Sequence, residues 1–401
     1  RLANLVPDDS RSLICPFTGG VTCMELDKTE DRFLLAAAAD TTIALYDTHV
    51  GSEKATTLIA PLFSCRGRHN NAERGHKYLI SSVAWYPVDT GLFVTGSYDC
   101  TAKVWDTNEV QVVNTFQLPK KVTAVAMSLV ATSHTLIASG CEDAHVRLCD
   151  LTSGAVTHVF SGHRDSVWCV AWSTSSEYEV LSGDGAGQIR LWDIRRSGCR
   201  AVFDQYCTQR LDRARSMEED VPPPPVSPAK KPRRSGSSGP MHTAKSAPAL
   251  LSAEPVPSSF RMKETAVRAH SGAVTCLLPC PDSVNLISAG TDSRMRLWDA
   301  QYRYNKLVGY EGTYNRALRA RQVAVTDDAR VVFYPTGTSV NVYEVETGRM
   351  LASVQGAHTE TINCCAYNPS LRELYSGGND CKLRVWSMRA DSHGCVDDDV
   401  G

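Results

Sequence analysis

One short pattern recurs along this chain and constrains its fold more than any other feature. Residues 92–106 have the sequence LFVTGSYDCTAKVWD, and residues 136–150, 285–299 and 373–387 repeat its spacing of apolar, small and acidic positions. More distant copies lie at residues 33–47, 179–193 and 331–344, which makes seven. Self-similarity of this kind predicts a repeat architecture in which small units share one core.

The spacing and the alternation identify the unit as a blade of four strands. The copies end at positions 47, 106, 150, 193, 299, 344 and 387, so four of the six gaps are 43–45 residues long. Alternating apolar and polar residues around Gly, Asp and Ser turns predict strands and hairpins. We therefore predict an all-β, seven-bladed propeller over residues 1–390. The last repeat lacks a fourth strand, and we expect residues 2–6 to supply it and so close the ring.

A set of polar residues recurs within these units and resembles the His–Ser/Thr–Asp–Trp tetrad of WD repeats. A buried turn aspartate needs a charge-assisted partner, and the histidine would supply it. A hydrolase triad would occur once, whereas this set recurs, so we interpret it as structural. Ala186 and Gly337 replace the aspartate in the fourth and sixth units, and Cys149 replaces the tryptophan in the third. The complete sets are His76, Thr95, Asp99 and Trp105; His270, Ser288, Asp292 and Trp298; and His358, Ser376, Asp380 and Trp386.

Composition narrows the function classes. With 42 basic and 44 acidic residues the net charge is −2, so we expect no direct nucleic-acid binding. The 15 cysteines are scattered and lack zinc spacing, which indicates a reduced, intracellular protein without metal. No apolar run reaches the roughly 18 residues of a membrane span, so no membrane is expected. No catalytic pair stands outside the repeats, so we predict neither a cofactor nor enzymatic activity.

Three segments depart from the repeat. Residues 207–262, between blades four and five, are rich in Pro, Ser and basic residues and are predicted to be disordered. Within them Lys230, Lys231, Arg233 and Arg234 are either a nuclear localisation signal or part of a solvated linker. Residues 51–75 are expected to form an ordered loop, and residues 391–401 an acidic flexible tail.

A closer resemblance appears at the end of the fourth repeat. Trp192, Asp193 and Arg195 form a W-D-x-R box, which resembles the box that docks substrate receptors onto the damaged-DNA-binding adaptor of cullin-RING ubiquitin ligases. The motif taken alone favours an ordinary solvated turn residue at Arg195, and the wider resemblance favours the docking box. Residues 83–108, 146–167 (with Cys149), 290–299 and 373–381 are similar to the Cockayne syndrome group A family of WD-repeat proteins.

This resemblance implies a function. It implies a nuclear, non-catalytic substrate receptor of a cullin-RING ubiquitin ligase in transcription-coupled nucleotide-excision repair. The implied partners are the damaged-DNA-binding adaptor, the cullin-RING core, a Cockayne syndrome group B-type repair ATPase and stalled RNA polymerase II. The family's N-terminal helical segment would precede Arg1. The alternative is a generic WD-repeat scaffold in a nuclear chromatin or RNA-processing complex.

A candidate substrate face follows from the blade geometry. The turn aspartates share one face of a propeller, and the W-D-x-R box should emerge at the opposite face. The residues that precede the turn aspartates are therefore free for substrate, and they are Tyr98, Glu142, Thr291 and Asn379.

Overall fold

The structure is a computed structural model, and it describes residues 5–8, 10–50, 57–67, 75–206, 267–316 and 320–388. These residues contain 29 β-strands and, within the described ranges, no helix. Seven antiparallel sheets form the blades of a propeller, which confirms the predicted fold class.

The blades follow one another along the chain. Blade 1 contains β3 (Val21–Leu26), β4 (Phe33–Ala38), β5 (Thr42–Asp47) and β7 (Phe63–Arg66). Blade 2 contains β8 (Ile80–Trp85), β9 (Leu92–Ser97), β10 (Thr101–Asp106) and β11 (Gln111–Gln117). Blade 3 contains β12 (Val122–Met127), β13 (Leu136–Cys141), β14 (His145–Asp150) and β15 (Ala155–Ser161). Blade 4 contains β16 (Val167–Trp172), β17 (Glu179–Asp184), β18 (Ile189–Asp193) and β19 (Cys199–Val202).

The remaining blades are less regular. Blade 5 shows three strands in its described residues, β20 (Val274–Pro279), β21 (Asn285–Gly290) and β22 (Met295–Asp299). Blade 6 contains β23 (Ala324–Val325), β24 (Val331–Thr336), β25 (Ser339–Glu344) and β26 (Met350–Val354). Blade 7 contains β27 (Ile362–Asn368), β28 (Glu373–Gly378) and β29 (Leu383–Met388).

The N-terminus closes the ring, as the sequence predicted. Strand β1 (Leu5–Pro7) pairs antiparallel with β29, and Val6 lies opposite Ser387. Residues 2–4 of the predicted closing strand lie outside the described residues. Because the two ends of the chain share one sheet, the edge of the last blade is covered.

The expectation of a simple loop over residues 51–75 is wrong. Its described part holds β7, the fourth strand of blade 1, and β6 (Thr57–Ile59). Strand β6 pairs in parallel with β2 (Arg11–Leu13), so the N-terminal segment is tied to blade 1 as well as to blade 7.

The core lies between the blades. Seven hydrophobic clusters fill the seven interfaces between neighbouring blades, and each cluster takes buried residues from two adjacent sheets. Both faces of the strands are therefore apolar, which explains the high apolar content of the repeats. Buried tryptophans such as Trp105, Trp192 and Trp298 pack in these interfaces and are at most 1% exposed.

The innermost strands carry a second link between blades. A β-bulge at the start of β3, β8 and β12 turns one hydroxyl residue toward the next blade. Thr22 Oγ1 donates to the carbonyl of Ile80 at 2.6 Å, Ser81 Oγ donates to Val122 at 2.7 Å, and Thr123 Oγ1 donates to Val167. The bulge thus supplies one hydrogen bond across each of these interfaces.

Candidate functional site: the two faces of the propeller

The polar tetrads of the sequence are joined in space in blades 2, 5 and 7. In blade 2 the Nδ1 atom of His76 lies 2.9 Å from Asp99, and its Nε2 atom lies 2.6 Å from the hydroxyl of Thr95. Trp105 Nε1 donates to the same hydroxyl at 2.8 Å. Corresponding distances of 2.7–3.0 Å connect His270, Ser288, Asp292 and Trp298, and His358, Ser376, Asp380 and Trp386.

The protonation of these groups fits a structural role. Burial lowers the pKa of His76, and Asp99 only partly offsets this effect. Burial alone would raise the pKa of Asp99, but hydrogen bonds from His76 and Thr101 hold it well below its usual value. A neutral imidazole then donates from Nδ1 to the carboxylate and accepts the hydroxyl proton at Nε2. Thr95 is completely buried and its hydroxyl is fully used, so it is not placed to attack a substrate.

Blade 4 also holds a complete tetrad, which corrects the sequence interpretation based on Ala186. His163 Nδ1 lies 3.0 Å from Asp184, its Nε2 lies 2.6 Å from Ser182, and Trp192 Nε1 donates to Ser182 at 2.7 Å. Asp184 lies at the end of β17, two positions before Ala186. An aspartate at position 184 or at position 186 can reach the histidine. Counting back from Trp192 by the spacing of the other repeats leads to Ala186 and therefore misses Asp184.

The turn aspartate of blade 3 has a different partner. Arg147 donates to both oxygens of Asp143, at 2.9 and 2.6 Å. The hydrogen bond from Arg147 is the main reason that the pKa of Asp143 is lowered. Arginine therefore takes the place of the missing histidine, while Cys149 fills the position of the tryptophan and is completely buried.

Arg195 lies on the face opposite the turn aspartates, in the connection that follows β18. Its Nε and Nη2 atoms donate to the two oxygens of Asp193, at 3.0 and 2.9 Å. Its guanidinium also stacks over the ring of Tyr178, 4.3 Å from the ring centroid. The side chain remains 57% exposed. The guanidinium is thus fixed in orientation and still accessible to a partner.

The other two residues of the W-D-x-R box are not accessible, which corrects the expectation that they contact an adaptor directly. Trp192 is completely buried in the blade 4 tetrad, and Asp193 is 2% exposed. The hydrogen bond from Arg195 lowers the pKa of Asp193 to about 2, so this carboxylate is ionised at neutral pH. Asp193 therefore positions Arg195, and the contact itself is left to the arginine.

Two exposed apolar side chains lie in a loop that is hydrogen-bonded to the segment containing Tyr178. Glu177 accepts backbone hydrogen bonds from Thr132 and Ser133, which joins the loop between β12 and β13 to the residue before Tyr178. That loop carries Leu129 and Val130, which are 52% and 40% exposed. Tyr178 and this loop could not be identified from the sequence, because they belong to different repeats and meet only in the folded ring. Exposed apolar side chains and an exposed arginine on one face are typical of a protein interface.

On the face of the turn aspartates, two predicted substrate residues share one cavity. Tyr98 and Glu142 line a depression of about 190 Å³ at the mouth of the central channel. Lys121 lies 5.6 Å from the ring centroid of Tyr98 and 2.9 Å from Glu142. Trp168 lines the same cavity, at the bulge position where β3, β8 and β12 have Ser or Thr.

The other two predicted substrate residues lie apart. Thr291 is half-buried at the turn of blade 5, and Asn379 is exposed at the turn of blade 7, where it bonds Thr361 and Asn363. Neither lines the cavity at the channel mouth. Sequence analysis missed Lys121 and Trp168, although an alignment of the seven first strands would have shown the tryptophan as an exception.

A segment of blade 6 makes hydrogen bonds to three other blades at this level. The segment before its short first strand donates from Arg321 N to Thr275 O at 2.9 Å and from Gln322 N to Asn363 O at 3.0 Å. Gln322 also accepts the backbone N–H of Met24 at 2.8 Å. This segment thereby contacts blades 5, 7 and 1, and its Ala320 lines the same depression.

Several predicted features lie outside the described residues. They are the insertion at residues 207–262, with Lys230, Lys231, Arg233 and Arg234, and the acidic tail at residues 391–401. Among the described residues no group of three or more His, Cys, Asp or Glu is arranged to hold a metal ion. Within the same ranges no helix is long and apolar enough to cross a membrane.

Comparisons with known proteins agree with this geometry. The model of the WD domain, G-beta repeat, matches residues 68–106, 154–193, 262–299 and 349–387. The chain is 40% identical to the WD repeat-containing protein ATCSA-1 of Arabidopsis thaliana over 407 aligned positions, covering 96% of this chain and 89% of that protein.

Other relatives match less of the chain. Radiation-sensitive protein 28 of Saccharomyces cerevisiae is 34% identical over 30% of this chain and 25% of its own length. A ribosome biogenesis protein WDR12 homologue of Chlamydomonas reinhardtii is 35% identical over 30% of this chain and 28% of its own length. Such short matches cover few repeats and indicate a shared blade rather than a shared function.

Proposed function

Because the chain belongs to the family of WD-repeat proteins that includes ATCSA-1, we propose that it is the substrate receptor of a cullin-RING ubiquitin ligase in transcription-coupled nucleotide-excision repair. The receptor docks on the damaged-DNA-binding adaptor and presents a substrate to the cullin-RING core. In this role the chain binds rather than catalyses, and ubiquitin transfer belongs to the rest of the ligase. A repair ATPase of the Cockayne syndrome group B type and stalled RNA polymerase II are its proposed partners.

The observation that carries this proposal is the geometry of Arg195. A planar guanidinium held by Asp193 and stacked on Tyr178 loses little conformational freedom when it binds acidic or carbonyl groups. The loop that is hydrogen-bonded to Glu177 supplies exposed apolar area on the same face, at Leu129 and Val130. The substrate face lies on the other side of the ring, so adaptor and substrate do not compete for one surface.

Co-purification tests this function. A tagged full-length chain should recover the adaptor, the cullin-RING core and the repair ATPase from nuclear extract, and Arg195→Asp should lose the adaptor and cullin together. If the wild-type chain recovers chromatin or RNA-processing factors without the adaptor, the scaffold alternative is correct.

Nuclear localisation is part of the same proposal. The cluster Lys230, Lys231, Arg233 and Arg234 has the composition of a localisation signal. Deleting residues 230–234 should reduce nuclear accumulation of a fluorescent fusion. Unchanged accumulation would assign these residues to a solvated linker.

A further inference from the structure

The charges of this chain are unevenly distributed over its surface, although its net charge is only −2. We define the upper face as the turns between the second and third strands of each blade, together with the connecting segments that lie beside those turns. Nine Lys and Arg side chains are exposed on this face in the described residues. Over blades 1–3 these are Arg66, Lys77, Lys120 and Lys121. Over blades 4–7 they are Arg164, Arg268, Arg294, Arg316 and Lys382.

Few acidic groups oppose them. The exposed Asp and Glu side chains at these turns are Glu142, Asp165 and Glu360, and Glu311 is exposed in the same connecting segment as Arg316. The turn aspartates are bound by histidine, arginine or threonine inside the blades, so they do not present free carboxylates. On the opposite face acidic residues such as Asp282 and Asp327 alternate with basic ones such as Arg196 and Arg372. Exposed basic side chains therefore outnumber exposed acidic ones on the upper face, whereas the two are mixed on the opposite face.

We propose that the upper face binds an acidic, extended protein segment that inserts one apolar side chain at the channel mouth. Naming this segment as the ligase substrate rests on the proposed receptor function, whereas the binding itself does not. Lys121 lines the mouth together with Tyr98 and Trp168, and the other basic groups lie at or beside the turns of the neighbouring blades. Partly exposed aromatic side chains inside a charged ring are suited to anchor a peptide.

The residues that line the cavity at the channel mouth limit which side chains can bind there. The hydroxyls of Thr22, Ser81 and Thr123 are used in hydrogen bonds to the neighbouring blades, so they present little unsatisfied polarity. Trp168 Nε1 donates to Ser166 at 3.0 Å, which leaves the ring face for contact. A depression of about 190 Å³ has room for a single side chain. An apolar side chain fits this floor better than a charged one.

A peptide is favoured over a nucleic acid by the acidic groups at the rim. Glu142 lines the cavity beside Lys121, and Asp165 immediately precedes Ser166 at its edge. A single-stranded nucleic acid that stacked a base on Trp168 would bring its regularly spaced phosphates close to these carboxylates, which would repel them. A peptide can place a neutral residue there and its acidic residues over the surrounding lysines and arginines.

Two matched triple variants test the surface. The first is Lys120→Glu with Arg164→Glu and Arg294→Glu on the upper face, whose side chains make no hydrogen bond to the described residues. The control is Arg196→Glu with Arg330→Glu and Arg372→Glu on the opposite face. Both variants change the net charge equally. The probes are a fluorescent 12-residue peptide of Glu and Ser with one central Leu, and an oligothymidylate of equal charge, measured by anisotropy at two salt concentrations.

The wild-type chain should bind the acidic peptide more tightly than the oligothymidylate. The upper variant should lose about tenfold or more in peptide affinity and the lower variant less than about twofold. Trp168→Ala should weaken peptide binding and leave its salt dependence unchanged, since it removes no charge. Tighter binding of the oligothymidylate, equal losses in the two triple variants, or no peptide binding by the wild type would each overturn the proposal.

The adaptor provides a separate readout. The upper variant should still bind the adaptor, because Arg195 lies on the other face. A chain that binds the acidic peptide through the upper face but never binds the adaptor would contradict the receptor function and leave this inference standing.

Discussion

The Nδ1 atom of His163 lies 3.0 Å from Oδ2 of Asp184, and both side chains are completely buried. This pair completes a fourth tetrad in a repeat whose turn has no aspartate. Since Ser182 accepts from Trp192 and bonds His163, removing one member leaves buried polar groups without partners.

Asp184→Ala should therefore destabilise the propeller by about 1–3 kcal/mol, as Asp292→Ala should in a repeat with the regular pattern. The control is Ala186→Ser, at the position that the sequence pattern assigned to the aspartate, and it should change stability by less than about 0.5 kcal/mol. Urea unfolding measures all three. Equal, small effects of Asp184→Ala and Ala186→Ser would show that the blade 4 tetrad contributes nothing.

The stability of the interface between blades 1 and 2 should depend on pH through Glu25. Its carboxylate accepts the backbone N–H of Trp85 at 2.9 Å, and burial raises its pKa to about 7, against 4.5 for an ordinary glutamate. Between these values the folded state holds a proton that the unfolded state has lost, so this residue's contribution to stability falls as pH rises through that window.

Glu25→Gln removes this titration and keeps an acceptor for Trp85. The variant should gain stability relative to the parent between pH 5 and pH 8, which urea midpoints at the two values would measure. A difference between variant and parent that is the same at both pH values would place the pKa of Glu25 near its ordinary value.

Much of the fold could be predicted from the sequence, because both faces of each blade are buried and the repeats keep their spacing. The fourth strand of blade 1 could not, since Phe63–Arg66 lies in an irregular connection and forms a strand only beside β5. Asp184 was missed for a related reason. The number of residues between Asp184 and Trp192 differs from the spacing in the other repeats. The distance in space between Asp184 and His163 is the same as in those repeats.

The candidate site was harder to predict than the fold. Arg195 was identified from a tetrapeptide, but the burial of Trp192 and Asp193 depends on packing that the motif does not encode. The basic upper face was hidden by a net charge of −2, because opposite charges from other parts of the chain cancel it. Only the topology shows which connections share a face.

The segment between blades 4 and 5 should be dispensable for folding. Its described flanks meet, since Gln205 N donates to Arg268 O at 3.0 Å. Replacing residues 207–262 with a short Gly/Ser linker should leave the thermal midpoint within a few degrees of the parent, because loop-closure entropy varies slowly with length. A large drop in the midpoint would mean that the segment contributes packing to the propeller.

The most direct test of the proposed function is the adaptor affinity of Arg195→Asp, compared with Arg196→Asp as a matched control at the neighbouring exposed position. Circular dichroism and thermal melting should show both variants folded. We predict that Arg195→Asp weakens adaptor binding by about 2 kcal/mol or more, as expected for an interface hot spot, and that Arg196→Asp has a much smaller effect. Parental affinity in a folded Arg195→Asp chain, measured with and without additional N-terminal sequence before Arg1, would contradict the docking role of this arginine.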